Sequence, residues 1–138
     1  MTTSIHSSSF RARVYLLANR TRTFAEDVRA FTNKLHRSIA SMEDIKQLIR
    51  SSGSVGANYL EADESVSKKD FILRLKICRK EARESAYWLQ LLTVEASNHI
   101  KEQRRLIEEA NQFVLIFHAS IAKAQKNLKQ SIASKKIG

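Results

Sequence analysis

Side chains that commonly perform chemistry are sparse in this chain, and their spacing fits no catalytic arrangement. The four histidines are His6, His36, His99 and His118. None is joined by a second histidine or a cysteine at a metal-ligand spacing on one helix, so no metal site is expected. Glu81 and Glu84 stand three residues apart, but no Glu-x-x-His motif accompanies them, so a di-iron bundle is not expected. Cys78 falls on an apolar stripe and reads as a buried apolar side chain rather than a nucleophile. No Gly-x-Ser-x-Gly elbow is present. The small-residue run Ser51-Ser52-Gly53-Ser54-Val55-Gly56-Ala57 lacks the preceding strand and the Gly-Lys-Ser or Gly-Lys-Thr ending of a phosphate loop. The expectation is a protein that is not an enzyme and needs no cofactor.

Charge is the more informative chemistry. The net charge is +10, from 24 basic and 14 acidic residues. Arg11, Arg13, Arg20 and Arg22 fall in residues 1–22, and Lys123, Lys126, Lys129, Lys135 and Lys136 fall in residues 123–138; neither stretch holds an acid. The other 15 basic residues share the intervening segment with all 14 acids, so nearly all the excess sits at the two ends. Basic ends serve solubility, and they also form an electrostatic footprint for phosphate.

The elements that would position these charges are long helices. Proline is absent, and glycine occurs only at Gly53, Gly56 and Gly138, which disfavours turn-rich β architectures. A length of 138 residues suits one domain. No apolar run is long enough to span a membrane, there is no apolar secretory segment at the N-terminus, and a single cysteine fits a reducing, cytoplasmic setting. Residues 1–20 have no clean period, and six of the first nine are Ser or Thr, so they read as a basic, partly flexible arm that becomes helical before Phe24. Phe24, Val28, Phe31 and Leu35 then mark one helical face.

Ser41, followed by Glu43 and Asp44, predicts an N-cap. Met42, Ile45, Ile49, Ser52, Val55, Tyr59 and Ala62 form the stripe of a second helix, whose two glycines suggest close approach of a neighbouring chain segment. Ser67 predicts the next cap. Phe71, Leu75, Cys78, Ala82, Leu89, Leu92 and Ala96 form one stripe of the third helix, while Leu73, Ile77, Tyr87, Leu91 and Val94 form another. A monomeric bundle needs one stripe per helix, so the second points to a central helix or a subunit contact. Ser97-Asn98-His99 breaks the pattern. Leu106, Ala110, Phe113, Phe117, Ile121, Ala124 and Leu128 then define a fourth helix from about residue 101 to 130.

Short connections imply an all-α, antiparallel, up-down-up-down four-helix bundle over residues 21–132, with a basic tail at 133–138. That topology brings both basic ends to one pole. It also sets Arg50, Ser54, Asn58 and Glu61 on the second helix against Arg74, Glu81 and Glu84 on the third. Arg50 should then meet Glu81, and Glu61 should meet Lys69 or Asp70. A register-fixing salt-bridge seam is favoured over a ligand site.

Several segments carry a family resemblance. They are Leu48-Ile49-Arg50-Ser51-Ser52-Gly53-Ser54-Val55-Gly56-Ala57-Asn58, then Glu61, then Ser67-Lys68-Lys69-Asp70-Phe71-Ile72, and Lys80-Glu81-Ala82-Arg83-Glu84-Ser85-Ala86-Tyr87-Trp88-Leu89. Over residues 24–95 the chain resembles the bacterial four-helix bundle family first noticed as reading frames in intervening sequences of large-subunit ribosomal RNA genes. The resemblance implies a homopentamer around a central axis and no known catalytic activity. A more distant likeness is to the accessory protein of diversity-generating retroelements, a basic pentameric bundle that binds nucleic acid and associates with a reverse transcriptase. Charge and resemblance together favour a non-enzymatic, oligomeric, nucleic-acid-binding bundle, with RNA the expected ligand. A protein-interaction adaptor for a reverse transcriptase is the alternative.

Overall fold

Serine caps and short polar linkers divide the chain into four helices. The computed structural model describes the backbone of residues 2–137 and the side chains of residues 9–136. The helices are α1 (Thr2–Thr32), α2 (Ile39–Asp63), α3 (Lys68–Leu91) and α4 (Ser97–Ile137), and no strand occurs among the described residues. No helix is long and apolar enough to cross a membrane among the described residues.

The caps explain where α2 and α3 begin. Ser38, not Ser41, caps α2: the Ser41 amide donates to Ser38 Oγ (3.1 Å), and the Ser38 amide donates to Ser41 Oγ (2.7 Å). Serine thus fills the third helical position, where a capping box more often has Glu or Gln. Either serine could be read as the cap from sequence, because both hydroxyls take part. Ser67 caps α3 by accepting from the Asp70 amide (3.0 Å), and Asp70 complements the positive end of the helix dipole. At the other end of α3, Gln103 Nε2 donates to the Leu89 and Leu92 carbonyls (2.7 and 2.9 Å), which would otherwise lack intrahelical partners.

Several expectations need correction. Helix α1 runs through the segment read as a partly flexible arm, so the serines near the start of the chain lie within a helix. Helix α4 starts at Ser97, where the apolar pattern breaks, and continues through the segment read as a tail. Of the core stripes, Met42 is exposed and Ala96 lies outside the helices on the surface. The residues Leu73, Tyr87 and Leu91 of the second α3 stripe are exposed, and Ile77 and Val94 are half-buried.

Helix α2 packs on α3, α3 on α4, and α1 on α2 and, over a shorter stretch, on α4. Along α2, as residue numbers rise from Arg50 through Val55 to Asn58, their partners fall from Glu84 through Cys78 to Arg74 on α3. The core unites Phe24, Val28 and Phe31 with Leu48, Val55, Leu75, Leu89, Leu106, Phe113 and Phe117. Phe113 meets Phe24 edge-on (centroids 5.5 Å apart) and stacks on Phe117 (6.3 Å). Fully burying side chains of this size contributes about 1.5–3 kcal/mol each.

The two interior glycines serve the α1–α2 contact. A Cβ on Gly56 would meet Thr21 Oγ1 at 3.0 Å, and one on Gly53 would meet Arg29 Nη2 at 3.4 Å. Thr21 is fully buried and donates to the Ala18 carbonyl (2.9 Å), so a polar residue of α1 seats directly on the Gly56 backbone.

Candidate nucleic-acid interface

The core thins at one end of the bundle. Toward the N-terminus of α1, the last fully buried residue is Thr21; toward the C-terminus of α4, it is Ile121. Beyond these points Val14, Leu17, Ala18, Ala124 and Leu128 are only partly covered. Helices α1 and α4 have 31 and 41 residues, against 25 and 24 for α2 and α3. At about 1.5 Å of rise per residue, α4 exceeds α3 by roughly 25 Å. The longer helices carry the basic residues, and between them lies a cleft of about 500 Å³.

The cleft gathers residues from all four helices. Phe10, Val14 and Leu17 come from α1, Tyr59 from α2, Phe71 from α3 and Ile116 from α4. Arg13 and Arg20 line it from α1 and Lys123 from α4, so the two basic ends of the chain converge on one opening. Arg11, Lys126, Lys129, Lys135 and Lys136 are exposed on the same two helices. Among the described residues, none of these five, nor Arg13 or Lys123, has an acid within ion-pair distance.

The remaining two arginines are engaged elsewhere. Arg20 donates twice to Glu109 of α4 (2.6 and 2.9 Å), and its guanidinium sits 5.2 Å from the Phe113 ring centroid. The hydrogen bonds to Glu109 push its pKa further above the ordinary arginine value. Arg20 is therefore a clamp between α1 and α4, and its charge is largely neutralised. Arg22 meets Glu26 one turn on (3.3 Å) in an exposed pair that holds little energy. The arm contributes two free cations, Arg11 and Arg13, rather than four.

The α2–α3 residues assemble differently. Arg50 Nη2 donates to Glu84 Oε2 (3.3 Å), and Nη1 lies 3.7 Å from Glu81 Oε2, within ion-pair reach but beyond hydrogen-bond distance. Lys80 Nζ approaches the other Glu81 oxygen (3.9 Å). Glu81 is nearly buried while Arg50 is 56% exposed, so one partner is screened by solvent and the other is not. Behind the ion pairs, the Ser51 and Ser85 hydroxyls pair at 2.9 Å, and Ser85 Oγ donates to the Glu81 carbonyl. Cys78 Sγ donates to the Val55 carbonyl, and burial pushes its thiol up to about 12, consistent with an inert core residue.

Farther along, Arg74 donates to Asn58 Oδ1 (3.3 Å), and Asn58 Nδ2 donates to the Ser54 carbonyl (2.9 Å). Three buried polar atoms on α3 lack hydrogen-bond partners among the described residues: Arg74 Nε, Glu81 Oε2 and Trp88 Nε1. They recur every seven residues, which places them along one face of the helix. Two expectations differ from this arrangement. Glu61 is exposed and makes no ion pair with Lys69 among the described residues; its carbonyl instead accepts from Ser65 Oγ. Gly56 belongs to the α1 contact rather than to the seam.

Sequence reasoning missed the buried hydroxyls Thr21, Thr32, Ser51 and Ser85 as core residues. Their i, i+3 or i, i+4 spacing with Phe24, Val28, Val55 and Ala82 was the available signal. No group of histidine, cysteine and carboxylate side chains suited to a metal occurs among the described residues.

Four helices, a cleft lined by two overhanging basic ones and an ion-paired face between the other two define the class: an all-α four-helix protein whose excess positive charge lies on the terminal segments of α1 and α4. The family model of the 23S rRNA-intervening sequence protein matches residues 14–119, and the chain belongs to that family. It is also similar to a crystal structure from Bacteroides thetaiotaomicron, described as a protein with unknown function from the S23 ribosomal protein family. The two share 26% identity and a TM-score of 0.64, over 75% of this chain and 96% of that one. No curated protein matches the chain. Arg11, Arg13 and the five C-terminal lysines lie outside the matched residues, so family membership does not account for the basic end.

Proposed function

We propose that this chain is a non-enzymatic, cytoplasmic, oligomeric protein that binds nucleic acid, with RNA the expected ligand, through the basic end formed by α1 and α4. The observation that carries this reading is the convergence of Arg13 and Lys123, from opposite ends of the sequence, on one cleft, neither of them with an acid in ion-pair distance among the described residues. Unpaired cations on two parallel or antiparallel rods repel one another, which favours an anionic partner. A polyanion would release its condensed counterions on binding, so affinity should fall linearly on a log–log salt scale. The pairing of rising α2 numbers with falling α3 numbers supports an antiparallel, up-down-up-down order, which accounts for both ends reaching one pole.

Assembly is the second part of the proposal. Leu73, Tyr87 and Leu91 are 54%, 54% and 45% exposed on α3, beside the unpartnered Arg74 Nε and Trp88 Nε1. A monomer gains nothing from such a row, whereas a second copy could cover the apolar side chains. A homopentamer would place five basic ends on one side of a ring. The same exposed row favours, as an alternative, an adaptor role toward another protein such as a reverse transcriptase. Sedimentation equilibrium should give the mass of five chains, and a monomer at micromolar concentration would contradict the assembly. Binding to RNA and DNA at low salt should weaken steeply as salt rises; an unmodified protein with no such binding would leave the adaptor reading in its place.

A further inference from the structure

The cleft at the basic end has a chemistry that phosphate alone does not explain. Its floor is apolar: Val14, Leu17, Tyr59, Phe71, Leu75 and Ile116. A phosphate pressed onto such a surface would lose much of its hydration, and few donors there could replace it. Arg13 of α1 and Lys123 of α4 also line the cleft and face a single lining acid, Asp63 of α2, while Arg20 is held by Glu109. Two aromatic rings are available to a ligand there: Phe10, 54% exposed, and Phe71, half-buried. Tyr59 closes the floor, nearly covered and tilted against Phe117 at 6.0 Å. Burial pushes its hydroxyl up to about 12, so it stays a neutral donor at any working pH.

We propose that this cleft holds an unpaired nucleobase of single-stranded RNA, stacked on Phe10 and Phe71, while Arg13 and Lys123 contact the flanking phosphates. The inference rests on the nucleic-acid reading above and names the form of nucleic acid that the same site selects. A base has a flat apolar face for the rings and floor, and its backbone carries charge on both sides, matching an apolar cleft that Arg13 and Lys123 also line. A volume of about 500 Å³ is within the range of pockets that enclose a small ligand. A duplex keeps its bases stacked inside and could offer only phosphates to the rim. A second cavity, of about 540 Å³, lies between the α1–α2 and α3–α4 connections. It sets one lysine, Lys34, and two histidines against two acids, Asp44 and Glu95, whereas the basic-end cleft sets two cations without ion-pair partners among the described residues, Arg13 and Lys123, against one acid, Asp63.

The test uses the full chain and an oligouridylate of about 12 nucleotides, a length within the usual single-strand site size, carrying one central 2-aminopurine. The same strand annealed to its complement is the duplex probe. At equal salt the single strand should bind about tenfold more tightly than the duplex, and stacking should quench the 2-aminopurine emission. Phe10→Leu keeps the apolar volume but removes the flat ring; it should cost about tenfold in single-strand affinity and restore the emission. Phe10→Tyr should retain both. Phe71→Leu should act as Phe10→Leu does, with circular dichroism confirming the fold. Duplex affinity and the salt slope should be unchanged by all three. The proposal is overturned if single strand and duplex bind equally, or if Phe10→Leu and Phe71→Leu both leave affinity and emission unchanged. In either case, surviving salt-dependent binding would leave the basic-end reading intact. If the unmodified protein binds neither probe, both readings fall.

Discussion

Between α2 and α3, near Arg50, charged and polar side chains find partners across the helix pair; at the far end of α1 and α4 they do not. Arg50 bridges Glu81 and Glu84, Ser51 pairs with Ser85, and Arg74 meets Asn58. At the other site Arg11, Arg13, Lys123, Lys126 and Lys129 are exposed, and no acid on α1 or α4 reaches them. The two regions use similar residue types to different ends. In the first, charge fixes register around a dense core. In the second, charge accumulates where the core has run out, so it contributes little to folding and remains available to an anion. Arg20 marks the boundary: about two helical turns closer to the core than Arg13, it is already tied to Glu109 and Phe113.

Mutations should separate the two regions by stability. The largest effect belongs to the core. Phe113→Ala should lower unfolding free energy by about 3–5 kcal/mol, since the ring is fully buried between Phe24 and Phe117. Leu128→Ala, at the half-covered basic end, should cost less than about 1.5 kcal/mol. Urea midpoints read both, and equal losses would contradict the thinning of the core.

Next comes the seam. Arg50→Ala should cost about 1–2 kcal/mol: less than a fully buried pair, because Arg50 is half in solvent, but more than a surface pair, because it leaves the nearly buried Glu81 less compensated. Arg11→Ala and Lys126→Ala should each change stability by less than about 0.5 kcal/mol. Thermal melts of the three variants would erase the distinction if they coincided.

The two interior glycines should respond with opposite signs. Gly53→Ala should stabilise by about 0.5–1 kcal/mol, since helix propensity improves and its Cβ meets only the movable end of Arg29. Gly56→Ala should destabilise by about 1 kcal/mol, because Thr21 is buried, hydrogen-bonded and unable to retreat. Matching signs would show that α1 does not press on Gly56 as closely as the geometry requires.

Much of the fold could be read from periodicity. Phe24, Val28 and Phe31, the stripe from Ile45 to Ala62 apart from the half-buried Ile49, and that from Leu106 to Ile121 are buried where their spacing put them. Arg50 met Glu81 because helix length and a short connection fix the register of neighbouring helices. The misses have local causes. Residues 9–13 are all exposed, and periodicity cannot report a helical stretch that has no core to face. Ser38 and Ser41 both take part in one cap, so sequence could not rank them. Arg20 looked like its neighbours at Arg11, Arg13 and Arg22, because its partner Glu109 lies 89 residues away and only the packed structure brings them together. The cleft was invisible for the same reason: Phe10, Tyr59, Phe71 and Ile116 come from four separate helices.

The central claim is that nucleic acid is bound by the free charges of α1 and α4. The direct measurement is the slope of log affinity against log salt for an RNA, compared among three proteins. One is unmodified; one carries Ser at Arg11, Arg13, Lys123, Lys126 and Lys129; one carries Ser at Lys46, Lys68, Lys76 and Arg79. The first variant should bind more weakly, with its slope flattened by about 0.7–0.9 for each lost phosphate contact, and should melt as the unmodified protein does. The second should keep nearly the full slope. If instead the second loses binding while the first retains it, the basic end is not the interface.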